Sequence, residues 1–231
     1  MNCFQYKKSV FSQRKNRLFL LLFTCIFLLF FTACGKKVEP YDYVSELRDN
    51  ILLAETDGFA FRAYAVTREN PYVSDGVAME ASSRCEIYLV APSGDKECTL
   101  SFTVNGKQYG GEMSYDNVKA EYYFFCTLNI SALRELPCSV VYGETELTFS
   151  AQSVVQQDTL TPKAALEALN AAENELFASM TDRYGFAGEI YIRLLYEDAP
   201  FYYIGVIDKN GKTTAFLLNA QTGKVLAKRQ S

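Results

Sequence analysis

Cys98-Thr99-Leu100-Ser101-Phe102-Thr103-Val104, followed at once by Asn105-Gly106, is the stretch on which the fold turns. Apolar side chains occupy every second position, the period at which one face of a β-strand is buried. Asn-Gly directly after such a run favours a two-residue hairpin turn, because both central positions take positive φ. A return strand is therefore expected over residues 108–113. The alternation recurs over residues 59–66, where Arg62 and Tyr64 interleave with aromatic or small side chains. It recurs again over 84–90, 121–128, 138–142 and 145–149, with Gly143-Glu144 turning the last pair. Roughly six or seven short strands in succession indicate an all-β, sandwich-like domain or a small barrel. Before them, Tyr43, Val44, Leu47, Ile51 and Leu52 recur at helical spacing, so residues 43–53 read as a helix.

A second organisation begins at Thr161-Pro162, where a hydroxyl can cap a helix and proline occupies a position whose amide would be unpaired anyway. Leu166, Leu169, Ala172, Leu176 and Met180 then form one apolar stripe, and the helix should end before Tyr184-Gly185. Strands are expected over 189–196, 201–208 and 213–219, with Asn210-Gly211 turning the second hairpin, and the chain returns over 224–227. One helix on an antiparallel sheet makes a small α+β unit. The fold class expected is thus two domains, a β-rich sandwich-like one over 43–155 and an α+β one over 161–228. A unit of roughly 70 residues is small enough to gain from packing against its neighbour.

Ala164-Ala165-Leu166, Tyr202-Tyr203-Ile204-Gly205-Val206-Ile207 with Asn210-Gly211, and the run from Ala215 through Asn219-Ala220-Gln221-Thr222-Gly223-Lys224-Val225-Leu226 resemble the PepSY domain. The resemblance covers residues 161–228. It implies a non-catalytic role outside the cytoplasm, beside peptidases, with inhibition or control of proteolysis, and it carries no catalytic residue onto this chain. Gly223 suits a tight turn and Asn219 is placed to receive backbone amides across it. The β-rich domain resembles immunoglobulin-like extracytoplasmic modules in outline and is assigned to no family.

The amino terminus reads as an export signal. Lys7, Lys8, Arg14, Lys15 and Arg17 precede an apolar run over 18–31, which ends in Thr32-Ala33-Cys34. Phe31-Thr32-Ala33-Cys34 resembles the lipobox of bacterial lipoproteins, in which leucine is commoner at the position of Phe31. That resemblance implies removal of residues 1–33, diacylation of Cys34, a spacer over 34–42, and a cell-membrane location on the extracytoplasmic face with membrane lipid as a partner. The alternative is an uncleaved signal anchor, although the sixteen residues 18–33 fall short of the roughly 20 that a spanning helix needs. The leader holds five of the 23 basic residues and none of the 27 acidic ones, so the remainder carries 18 against 27, a formal net charge of −9. Such a chain lacks the clustered positive charge that nucleic acid requires.

Histidine is absent, which excludes Ser-His-Asp and Cys-His triads within the chain and leaves zinc without its usual nitrogen ligand. No catalytic, cofactor-binding or metal-binding residue is assigned. Cys85, Cys98 and Cys126 share the parity of apolar neighbours and are expected to point inward, and with Cys138 they are buried thiols or disulfides of undetermined pairing. Tyr122-Tyr123-Phe124-Phe125 and Phe201-Tyr202-Tyr203 must place aromatics on both faces of their strands. Tyr122 and Tyr202 are the candidate partner contacts. The expected function is non-catalytic binding, of an envelope protein or peptidase. Its rival is an envelope hydrolase using paired carboxylates, for which Glu144 with Glu146 and Glu197 with Asp198 are the candidates.

Overall fold

The computed structural model describes residues 38–71, 73, 77 and 79–230. The leader, Cys34 and the start of the spacer lie outside the described residues. Nine strands come first: β1 (Val44–Thr56), β2 (Phe59–Glu69), β3 (Ala81–Val90), β4 (Cys98–Val104), β5 (Lys107–Glu112), β6 (Ser114–Asp116), β7 (Glu121–Cys126), β8 (Glu135–Tyr142) and β9 (Thr145–Ser153). Helices α1 (Pro162–Ala172) and α2 (Asn174–Ser179) follow. The chain closes with β10 (Thr181–Asp182), β11 (Gly185–Phe186), β12 (Gly188–Tyr196), β13 (Pro200–Asp208), β14 (Thr213–Asn219) and β15 (Val225–Gln230).

Strand β1 is thirteen residues long and replaces the helix expected over 43–53. The reason is a bulge: Arg48 pairs with Val66 of β2 and Asn50 with Ala65, so Asp49 is the extra residue. An inserted residue flips the inward phase of a strand halfway along. Apolar positions 47, 51 and 52 then mimic a helical period.

One edge of β1 pairs with β2 from Glu46 to Thr56. The other edge is divided between two strands. Its first half runs parallel to β12, Val44 opposite Ile190 and Arg48 opposite Arg193, while Leu52 and Leu53 pair antiparallel with Ser153 and Gln152 of β9. Thirteen strands thereby join one sheet, in the order β15-β14-β13-β12-β1-β2-β3-β7-β6, with β9-β8-β4-β5 branching from β1. The part from β6 round to β5 is a nearly closed antiparallel sheet. Its interior is filled by one apolar cluster that includes Leu52, Phe61, Ile87, Leu100, Leu136 and Phe149.

The mostly β architecture and the carboxy-terminal helix-and-sheet arrangement agree with the sequence reading. The Asn105-Gly106 turn takes φ of 52° and 76°, as a two-residue hairpin requires. Thr161 Oγ1 accepts the Ala164 amide at 3.2 Å with Pro162 at the start of α1. That helix buries Ala165, Leu166 and Leu169. Its close approach to the β14–β15 turn leaves room only for glycine: at Gly223, φ is +70° and a Cβ would lie 2.6 Å from that of Ala168. Asn219 Oδ1 accepts the amides of Gln221 and Thr222 in that same turn. The single expected helix is broken at Glu173, whose φ of −117° separates α1 from α2. The division expected between residues 155 and 161 is not confirmed, because Glu39–Ser231 forms one compact unit through β1.

At the fork, where β1 leaves β12 and meets β9, the edge away from β2 has no strand beside residues 49–51, and the segment after β7 lies against the Asn50 side chain there. Asn50, 1% exposed, donates its amide to the carbonyls of Ile130, Ser131 and Leu133 at 3.3, 3.2 and 2.8 Å. Its Oδ1 accepts from Ser153 Oγ at 2.7 Å. Beside it, burial pushes the carboxyl of Asp49 above its ordinary range, a shift partly offset by the Ser131 hydroxyl.

Two outcomes are expected. Asn50→Ala removes the donor shared by three carbonyls and should lower stability by about 2–4 kcal/mol in urea titration; an unchanged midpoint would show that the fork is held by something else. For Asp49, a folded-state pKa above the unfolded one means that the native state holds the proton more tightly, so stability is full below the unfolded value of about 4 and is lost as pH rises through the folded one. Asp49→Asn should therefore exceed the parent in stability at pH 7 and lose that advantage below about pH 4. A constant difference across this range would contradict the assignment.

Candidate functional site

Strand alternation gives β1, β2, β3 and β7 one face toward the apolar cluster and one away from it. Phe61, Ala63 and Ala65 of β2 face inward, with Ile87 and Leu89 of β3 and Tyr122 of β7. The residues between them, Arg62 and Tyr64, Glu86 and Tyr88, Tyr123 and Phe125, therefore form the outer face. They stand in register: Tyr64 lies opposite Glu86, which lies opposite Phe125, and Arg62 opposite Tyr88, which lies opposite Tyr123.

Ion pairs across strands hold this face. Arg193 of β12 grips Glu46 of β1 with two bonds, at 2.8 and 2.7 Å, and Glu46 is only 2% exposed. Arg68 of β2 meets Glu86 at 2.8 Å, and Arg62 pairs with Glu121. Guanidinium suits such sites because its planar fork matches a carboxylate and its charge is never lost. Tyrosines fill the spaces between the pairs. The Tyr64 and Tyr88 rings meet edge to face at 5.7 Å, Arg48 lies 4.3 Å above Tyr64, and Lys119 lies 5.6 Å from the Tyr88 ring. Tyr88 Oη donates to Glu86 at 3.3 Å, and burial followed by the Glu86 charge pushes its phenol up to about 12. At the β12 side, Arg193 stacks on Tyr191 at 4.7 Å. The Tyr191 ring lies across Gly205, where a Cβ would come within 1.9 Å of it, so glycine at 205 is what admits the ring.

Two depressions interrupt the face. One, of about 530 Å³, is lined by Arg84, Glu86, Tyr88, Lys119, Tyr123 and Phe125 among others. The second, of about 450 Å³, includes Arg48, Leu53, Arg62, Tyr64 and Tyr196. The Arg62–Glu121 pair bridges them, since Arg62 lines the second and Glu121 the first. Phe125 is 63% exposed and Tyr123 36%. Among the described residues, Arg48, Arg84 and Lys119 form no ion pair with a carboxylate. Asp116, at the rim, accepts the amides of Val118 and Lys119 and so shapes its own loop.

The two tyrosines named from sequence as candidate contacts are buried. Tyr122 is 2% exposed and donates to the Lys96 carbonyl at 2.7 Å; Tyr202 is 1% exposed and donates to that of Leu160 at 2.7 Å. Both are core residues whose hydroxyls are used within the chain. The exposed aromatics beside Tyr122 are Tyr123 and Phe125, which sequence placed on the opposite side of the strand without choosing the side. Arg48 and Arg84 were missed as site residues. The shared parity of Arg84, Glu86 and Tyr88 was the available signal, because a polar stripe on a strand whose other face is apolar marks its outer side.

Glu144 and Glu146 are exposed at the β8–β9 turn, and Glu197 and Asp198 in the turn before β13. No group of three or more acidic or cysteine side chains among the described residues is placed to hold a metal ion. Cys85, Cys98 and Cys138 are buried, Cys126 is half-buried, and all four are thiols. Cys34 lies outside the described residues. With Glu46, Glu86 and Glu121 each engaged by a guanidinium, the face offers tyrosine, phenylalanine and cationic groups for contact. Tyrosine and arginine are the residues that most often carry the energy of protein interfaces. No protein-family model matches this chain, and neither a curated protein nor a solved structure matches it.

Proposed function

We propose that the protein is a membrane-tethered binding protein that acts outside the cytoplasm and takes a partner protein on the arginine- and tyrosine-lined outer face of β1, β2, β3 and β7. The observation that carries this reading is the company of Arg48, Arg84 and Lys119, which form no close ion pair among the described residues, with exposed Tyr123 and Phe125 on a face already ordered by ion pairs. Acidic residues line the same depressions, Asp116 in the first and Glu55 and Glu197 in the second, so the face is mixed in charge and its exposed cations stand beside aromatic side chains. A protein segment presenting carboxylates on either side of an apolar side chain fits this pattern: the carboxylates meet the cations and the apolar group enters the depression beside Phe125. Rigid cross-strand pairs lower the cost of ordering the surface on binding.

The tether is Cys34, diacylated after removal of residues 1–33; two acyl chains hold a protein stably where one is marginal. The PepSY-like segment over 161–228 supports an envelope protein or peptidase as the class of partner. It contributes Arg193 and Tyr191 to the border of the face.

A photoreactive residue at Val118, 95% exposed on the rim, should give a discrete protein adduct in intact envelope, and one at exposed Glu167 on α1 should not. With the captured partner purified, Phe125→Ala should weaken binding about 30-fold and Arg84→Glu about tenfold, both variants keeping the parental unfolding midpoint. Equal adducts from the two positions, or binding indifferent to both substitutions, would refute the face. Loss of membrane association in a Cys34→Ala variant tests the tether separately.

A further inference from the structure

Cys85 and Cys126 occupy directly opposed positions on β3 and β7. Both side chains lie on the inward face, Cys85 beside Ile87 and Leu89, and Cys126 two residues from Phe124. Opposed residues of antiparallel strands place their Cα atoms roughly 4.5–5.5 Å apart, inside the window of about 4.4–6.8 Å that a disulfide spans. The two thiols are close enough to perturb each other's ionisation. The remaining candidates are placed otherwise: Cys98 Sγ donates to Met113 Sδ at 3.6 Å, and Cys138 stands opposite Phe102 and Phe149 on β4 and β9.

We propose that Cys85 and Cys126 are a built oxidation site, which a disulfide oxidant converts to a cross-strand disulfide tying β7 to β3, with Cys98 and Cys138 remaining thiols. The pair is asymmetric in a way that sets the order of events. Cys126 is the last residue of β7 and half-exposed, while Cys85 is fully buried. Interaction with the neighbouring Cys85 thiol, together with the Lys107 charge, holds Cys126 below the ordinary thiol range despite its partial burial. The same interaction, followed by burial, pushes Cys85 upward.

Cys126, as thiolate, therefore attacks one sulfur of the oxidant, R–S–S–R, forming a mixed disulfide and releasing RS⁻, which takes up the proton Cys126 had given to solvent. Cys85 then attacks the Cys126 sulfur of the mixed disulfide; its own proton departs with the second RSH. Two protein thiols are oxidised by two electrons and one oxidant disulfide is reduced to two thiols. The bond would fasten β7, whose other neighbour is the three-residue β6, at the place where the curled sheet stops short of closing.

Incubation of the purified full chain with glutathione disulfide, followed by alkylation and peptide mapping, tests this wherever the protein resides. The expected product joins the peptide of Cys85 to that of Cys126, with Cys98 and Cys138 alkylated, and raises the thermal midpoint reversibly on reduction. Cys85→Ala should instead trap glutathione on Cys126, and Cys126→Ala should leave Cys85 unmodified. A Cys85–Cys138 link, or four alkylated thiols in oxidised wild-type protein, would overturn the proposal. Neither outcome bears on partner binding, which Phe125→Ala tests by itself.

Discussion

Strand β1 has one edge too few for its neighbours, and the way this is resolved governs the molecule. Its thirteen residues keep β2 along one side while the other side passes from β12 to β9. A strand that changes partner leaves backbone groups between the two, and unpaired groups in an interior are costly. At the fork the Ile51 carbonyl accepts the Val154 amide at 2.9 Å, and the Asn50 side chain ties the segment after β7 to β1 by donating to three of its carbonyls and accepting the Ser153 hydroxyl. The bulge at Asp49 supplies the bend. With the fork closed, a curled sheet with its own core and a helix-covered sheet become one body.

The same junction produces the surface. Because β1 is common to both parts, the outward rows of β12, β1, β2 and β3 follow one another, and Arg193–Glu46 and Arg68–Glu86 sit at successive steps across them. Isolated exposed ion pairs contribute little to stability. Here the carboxylates are almost fully buried while the arginines reach solvent, so the pairs fix side-chain positions more than they hold the fold. Tyr64 and Tyr88 pack edge to face among them, and each tyrosine, Tyr191 included, has a cationic side chain over its ring. A face ordered in this way keeps its aromatic and cationic groups exposed.

Much of the local structure was legible in the sequence. Asn105-Gly106 dictated a turn that the backbone adopts with both φ positive, and Thr161-Pro162 capped α1 as its chemistry requires. Local signals could not report what depends on distant chain. Residues 43–53 read as a helix because the bulge at Asp49 breaks the strand period, and nothing near β1 says that β12, more than 130 residues later, will pair with it. The candidate site was half visible: an aromatic run on β7 had to expose one side, but which side depended on the core that Phe61 and Ile87 build. Tyr122 faces that core, so the exposed aromatics of β7 are Tyr123 and Phe125.

Native-state hydrogen exchange tests the central claim, that one shared strand makes β1–β9 and β12–β15 a single cooperative unit. Amides of Ala63 on β2 and Ile192 on β12 should exchange with the same free energy, equal to that of global unfolding, and follow the same denaturant slope. If the amides of β12–β15 opened at a distinctly lower free energy while β2 and β3 stayed protected, the fork at β1 would not be the element that unites the fold.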